Sequence, residues 1–79
     1  MDEILATAFE LCRTDFQRYL ILGSAEIPVS GFPDSMQDSL NERHYDTMEL
    51  IMLLEQYEIP YHINLFTSKD IVYGQIYIE

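Results

Sequence analysis

The stretch PYHINLFTSKDIVYGQIYIE, residues 60–79, constrains the fold more than any other part of the chain. Tyr61, Ile63 and Leu65 alternate with His62 and Asn64, and IVYGQIYI is rich in β-branched and aromatic residues, so both read as strands. TSKD between them supplies a turn. A two-stranded hairpin is marginal in water by itself, so the preceding residues must provide its cover. Residues 71–78 are apolar on both faces, interrupted chiefly by Gly74 and Gln75, and such a strand calls for cover on two sides. At a sheet edge it would also offer pairing to another chain, which makes a homodimer through residues 71–78 an expectation.

Helical spacing dominates the remainder. Leu5, Phe9, Cys12, Phe16 and Tyr19 step by four and three, widened by Ala8 and Leu20, which predicts a first helix over residues 2–22. Asp2 and Glu3 at its start and Arg13 and Arg18 toward its end suit the helix dipole, and Gly23 is a fitting stop. An alternative for residues 19–29 pairs YLIL with IPV in a hairpin around GSAE. Residues 23–35 are loop-like, restricted by Pro28 and Pro33 and loosened by Gly31, with a short edge strand at Ile27–Val29 that tolerates its proline. A second helical region spans residues 35–58, where Ser39 with Glu42 and Ser35 with Asp38 each fit a capping box. Those two starts leave open one helix or two, broken near Asn41–Tyr45; Pro60 ends the region. The expected fold class is therefore α+β: two main helices packed on a small antiparallel sheet built around a C-terminal β-hairpin. Residues 1–79 make one small acidic domain, in which roughly 60% of the unfolded surface is buried.

Charge narrows the function classes. Fourteen Asp and Glu stand against four Lys and Arg, a formal charge of −10, while 48% of the residues are hydrophobic. That composition folds, unlike that of a disordered acidic tail. A chain so acidic is repelled by nucleic acid and anionic membranes, so direct nucleic-acid and membrane binding are not expected and a basic protein is the natural partner. Cys12 is the single cysteine, which rules out an internal disulfide and a thiolate zinc cluster. MDEILATAFE lacks the basic start of a signal peptide, and no apolar run approaches the roughly 20 residues that span a bilayer, so a cytoplasmic protein is expected.

The acids are not scattered evenly. Within DSMQDSLNERHYDTMEL they fall at Asp34, Asp38, Glu42, Asp46 and Glu49. On one helix, at about 100° per residue, these five lie within roughly 120° of arc, opposite Met36, Leu40, Thr47, Met48 and Ile51. Acids four apart rise by about 6 Å. Like charges at that spacing weaken a helix by roughly 0.2–0.5 kcal/mol per pair, and a face that served solubility alone would interleave lysine. Acids near a helix start are also favourable for purely structural reasons. Tyr45 lies beside the row, where it can stack on an arginine. The expected partner-binding residues are Asp34, Asp38, Glu42, Tyr45, Asp46, Glu49, Glu55 and Glu58.

No catalytic residues, cofactor or metal ligands are expected. Glu42, His44 and Asp46 would converge on a strand but diverge on a helix, and no calcium-loop pattern is present. Cys12 reads as a small buried hydrophobe. LLEQYEIPYHINLF resembles the helix-to-strand segment of glutaredoxin-like proteins, and IVYGQIYIE is similar to their strand after the cis-proline. The C-x-x-C is absent and Gly74 stands where proline is expected, so the resemblance implies no redox activity.

In size and charge the chain is similar to the acidic inhibitors encoded by phages and mobile elements, including DNA mimics and anti-CRISPR proteins. That resemblance implies a non-enzymatic inhibitor that occupies a basic, nucleic-acid-binding surface by carboxylate mimicry of phosphates. The alternative expectation is an antitoxin, immunity protein or accessory subunit that acts through its apolar C-terminal strand.

Overall fold

The structure is a computed structural model and describes residues 2–79. Three α-helices and three strands alternate as α1 (Glu3–Leu11), α2 (Asp15–Ile21), β1 (Ile27–Ser30), α3 (Gln37–Gln56), β2 (Tyr61–Ser68) and β3 (Ile71–Ile78). A single 3₁₀ turn, Asp34–Met36, leads into α3. The sheet is antiparallel with strand order β1-β3-β2, which makes the fold α+β around a C-terminal hairpin.

The first helical region is two helices, not the one continuous helix that its apolar stripe predicts. Asp2 caps α1 through its carboxylate, and the chain turns extended at Cys12. Thr14 then opens α2 with a reciprocal capping box: Gln17 N–H donates to Thr14 Oγ1 at 3.1 Å, and Thr14 N–H donates to Gln17 Oε1 at 3.2 Å. The break leaves few orphan amides because the cap satisfies them locally. It lets Ala8 and Cys12 of one helix and Leu20 and Ile21 of the next enter the same core. The alternative hairpin of YLIL with IPV does not form, since Tyr19–Ile21 is helical.

From Gln37 to Gln56 the chain is one helix, and Asn41–Tyr45 lies within it. Neither capping box expected at its start forms. Met36 is the N-cap without a side-chain bond, and Ser39 Oγ instead donates to the Met36 carbonyl. The buried seam of α3 is Leu40, Thr47, Leu50 and Leu54. Met48, expected on the apolar side, lies instead on the flank of the helix, about 40° around the axis from Asp34 at about 100° per residue, and is 58% exposed. The helix closes with Glu58 in the left-handed region at φ 54°. Glu58 N–H donates to Glu55 and Ile59 N–H to Leu54, the pattern of a Schellman cap, while Ile59 tucks into the core with Leu54.

The hairpin forms where expected, but β2 continues through Thr67 and Ser68, so TSKD is not all turn. Ser68 pairs with Ile71, leaving Lys69 and Asp70 as a two-residue turn with φ of 52° and 68°. On the face turned away from the core, cross-strand neighbours stack: His62 on Tyr77 at 5.1 Å and Phe66 on Tyr73 at 5.5 Å between ring centroids. On the other face Ile76 joins the core, with Tyr61 and Ile78 packed against it. β1 is a short edge strand containing Pro28, and it pairs with Val72, Tyr73 and Gly74 of β3. β3 is thus the central strand, paired along its length with β2 and at Val72–Gly74 with β1, whereas the expected homodimer through residues 71–78 calls for β3 at an edge; the outer strands are β1 and β2.

Candidate functional site

Continuity of α3 brings the acids of residues 38–49 onto one helix, but their surroundings divide them. Asp34 sits in the 3₁₀ turn, and Asp38 and Glu42 lie in the first two turns of α3; all three are exposed. No cation pairs with them among the described residues. Arg43 turns away, its guanidinium 5.6 Å from the centre of the Phe16 ring, and His44 Nε2 lies 2.8 Å from the Pro28 carbonyl oxygen. Tyr45 follows on the same outward face, 68% exposed.

Asp46 and Glu49 are half-buried, and their neighbourhood is structural. Gln17, with no exposed surface, donates through Nε2 to the Asp46 carbonyl at 2.8 Å and to Glu49 Oε1 at 3.1 Å. Its Oε1 accepts from Arg13 N–H at 2.7 Å and from Thr14 N–H. All four hydrogen-bonding positions of one amide are used, which joins the α1–α2 corner to the middle of α3. Arg13 adds a long ion pair to Glu49 at 4.0 Å. Glu49 therefore belongs to the fold, unlike Asp38 and Glu42. The T-x-x-Q spelling of Thr14–Gln17 carries a capping signal, but the second role of Gln17 depends on α3, 29 residues and more along the chain.

Glu55 and Glu58 stand apart from the other acids. Thirteen residues separate Glu42 from Glu55, about 20 Å of helix. Glu55 accepts a hydrogen bond from the Tyr61 hydroxyl at 2.7 Å, and that bond chiefly, with desolvation and the carboxylate charge, raises the Tyr61 pKa. Glu58 occupies the left-handed cap position. Of the eight expected partner-binding residues, Asp34, Asp38, Glu42 and Tyr45 form one accessible group. Glu42, His44 and Asp46 diverge around the helix, and among the described residues no three His, Cys, Asp or Glu gather as metal ligands. Burial raises the Cys12 pKa, partly offset by Arg18, and its Sγ lies 3.4 Å from the Ala8 carbonyl oxygen.

Beyond Tyr45 the outward face of α3 changes character. Met48 and Met52, the latter 68% exposed, replace the acids. Met48 also borders an open apolar cleft of about 330 Å³ between α3 and the sheet, with Val29, Ile51, Ile63 and Ile76 on its other walls. Sequence reasoning did not identify this surface. Met48 was counted with the apolar side, and Ile63 appeared as an ordinary alternating strand residue. Among the described residues no helix is long and apolar enough to cross a membrane. No family model matches the chain, and neither a curated protein nor a solved structure matches it.

Proposed function

We propose that this protein is an inhibitor-type binding protein, not an enzyme, that occupies a basic, nucleic-acid-binding surface of a protein partner. The observation that carries this reading is the row Asp34, Asp38 and Glu42, exposed and, among the described residues, without a paired cation. The three arginines are engaged elsewhere: Arg18 with Asp15 at 2.8 Å, Arg13 beside Glu49, and Arg43 over Phe16. The row therefore presents uncompensated carboxylates, with a rise of about 6 Å between Asp38 and Glu42. In a chain of charge −10 it steers association with a cationic groove and repels anionic competitors. Tyr45 stacks on an arginine of that groove, and Met48 and Met52 supply adaptable apolar contact beside it. In this reading the protein is an anti-defence inhibitor of the phage or mobile-element, anti-CRISPR-like type.

The test captures partners on wild-type protein and on the double variant Asp38→Lys, Glu42→Lys, across a salt series and with duplex DNA as competitor. Capture that weakens with salt, is displaced by DNA and disappears in the variant supports the reading. Capture indifferent to all three ends it.

The exposed apolar hairpin favours a second reading, an antitoxin-like or accessory protein that associates through its C-terminal strands. Deleting residues 71–79 does not discriminate the two, because β3 is the centre of the sheet and its loss dismantles the fold.

A further inference from the structure

β2 is a sheet edge without the devices that protect most edges. No bulge interrupts its eight pairs with β3, and no Asp, Glu, Lys, Arg or proline occurs from Tyr61 to Ser68. No helix packs extensively on it, and Ile63 and Leu65 are 48% and 61% exposed. The ladder identifies which backbone groups face outward. Glu79 N–H donates to the Pro60 carbonyl at 3.1 Å, so residues 60 and 79 form a hydrogen-bonded pair. Alternation along an antiparallel ladder then directs residues 62, 64, 66 and 68 toward β3. It turns the N–H and C=O groups of Tyr61, Ile63, Leu65 and Thr67 to the open side.

We propose that β2 is a homodimer interface, in which two copies pair their β2 strands antiparallel about a two-fold axis at Asn64. The two three-stranded sheets then become one continuous sheet. In this register Tyr61 faces Thr67 of the second copy, and Ile63 faces Leu65. Every outward N–H and C=O of both strands finds a partner. Centring the axis on Ile63 or Leu65 instead leaves Thr67 or Tyr61 unmatched. Ile63 and Leu65 of both copies meet on the face that carries the apolar cleft, which withdraws four exposed side chains from water.

Charge selects a second copy as the occupant. Two chains of −10 associate most readily where few of their acids meet, and β2 carries no Asp, Glu, Lys or Arg. It lies across the sheet from β1, the strand against which α3 packs, so the exposed row of acids stays remote from the contact. A basic partner finds no carboxylate on this strand to recognise. The imidazole of His62 already lies 3.1 Å from Glu79 of its own chain. At each end the register sets Asp70 opposite Glu58 of the second copy, with the Lys69 cation of the same turn beside that pair of acids. An edge that is self-complementary about its midpoint is what a two-fold interface requires.

Sedimentation of the wild-type chain over a concentration series tests the interface. Conversion to twice the chain mass is the expected result. Leu65→Pro removes an outward N–H and spares the bonds to β3, so it abolishes the dimer while the circular dichroism spectrum is retained. Asn64→Cys places two thiols across the axis, with Cα atoms about 4.5 Å apart in a non-hydrogen-bonded pair, and oxidises to a linked dimer. His62→Cys, which faces Phe66 of the second copy, does not. Should Leu65→Pro fail to fold, the two cysteine variants decide. A wild-type chain that stays at one chain mass throughout overturns the proposal. So does a dimer that survives folded Leu65→Pro, or equal cross-linking of the two cysteine variants.

Discussion

The Gln17 side chain donates to Glu49 Oε1 at 3.1 Å and, from the same nitrogen, to the Asp46 carbonyl at 2.8 Å. A fully buried amide thus ties two helices to a third, and one of the conspicuous acids of the chain is consumed in doing so. Replacing Gln17 with alanine strands Glu49, the Asp46 carbonyl and the Arg13 and Thr14 amides. Each stranded group costs about 1–3 kcal/mol where water does not reach it, and partial rehydration brings the expected loss to about 2–4 kcal/mol. Urea denaturation measures it, and a loss below about 1 kcal/mol contradicts the assignment. Glu49→Gln retains an acceptor oxygen and loses less, about 1 kcal/mol.

Glu42 behaves in the opposite way. It is exposed, has no cation paired with it among the described residues, and has Asp38 and Asp46 one turn to either side. Glu42→Gln relieves two repulsions and stabilises the chain by about 0.5 kcal/mol, read as a higher urea midpoint. The same variant weakens partner capture under the proposed function. An acid whose removal helps folding and harms binding is retained for binding, and a Glu42→Gln chain less stable than wild type contradicts this placement.

Three backbone positions make separate predictions about stability. Glu58 sits at φ 54° in the cap of α3, where glycine is the natural occupant, so Glu58→Gly stabilises by about 1 kcal/mol. Lys69 and Asp70 both hold positive φ in the hairpin turn, and the pair Lys69→Asn, Asp70→Gly suits that turn better and raises the melting temperature. Gly31, at φ 81°, lies so close to the Asp70 carbonyl oxygen that a Cβ collides with backbone. Gly31→Ala therefore lowers stability by more than about 1 kcal/mol. Thermal denaturation of the variants checks all three signs.

Alkaline titration probes Tyr61 and Cys12. Both pKa values are raised in the folded state, Tyr61 by its hydrogen bond to Glu55 and Cys12 by burial. The unfolded chain therefore loses each proton first. Stability is complete below the unfolded values, about 8.5 for a cysteine and about 10 for a tyrosine, and declines as pH rises through the folded values. Tyr61→Phe flattens the upper part of that decline. Cys12, 5% exposed, reacts with thiol reagents at the rate of opening of the core, so its labelling slows in proportion to any stabilising variant. Labelling at the rate of a free thiol contradicts its burial.

The legible parts of the fold were those set by local chemistry. Alternation located β2 and β3, Pro28 marked an edge strand, and strong helix formers marked α3 from Thr47 onward, while its continuity through Asn41–Tyr45 stayed open. The break after Leu11 was written in Thr14–Gln17, but the apolar stripe across Phe9, Cys12 and Phe16 outweighed it. That stripe is shared by two short helices as readily as by one long one. Met48 was misplaced because, at about 100° per residue, it falls roughly 115° from the Leu40, Thr47, Leu50 and Leu54 seam, on the flank of the helix and not opposite the acids, and the sheet leaves it at the lip of a cleft.

By itself the sequence determined the class of the molecule: an acidic chain whose C-terminal hairpin needs helices to cover it. It also determined the spacing of the acids, because helical rise and turn follow from residue count alone. Tertiary structure decided which acids remain available, since Glu49 meets Gln17 and Glu55 meets Tyr61 only after distant segments pack. It also decided which strand keeps an open edge. Strand order is a long-range choice, governed by how β1 and the helices pack around the hairpin, and no local pattern in PYHINLF or IVYGQIYI encodes which of the two lies outermost.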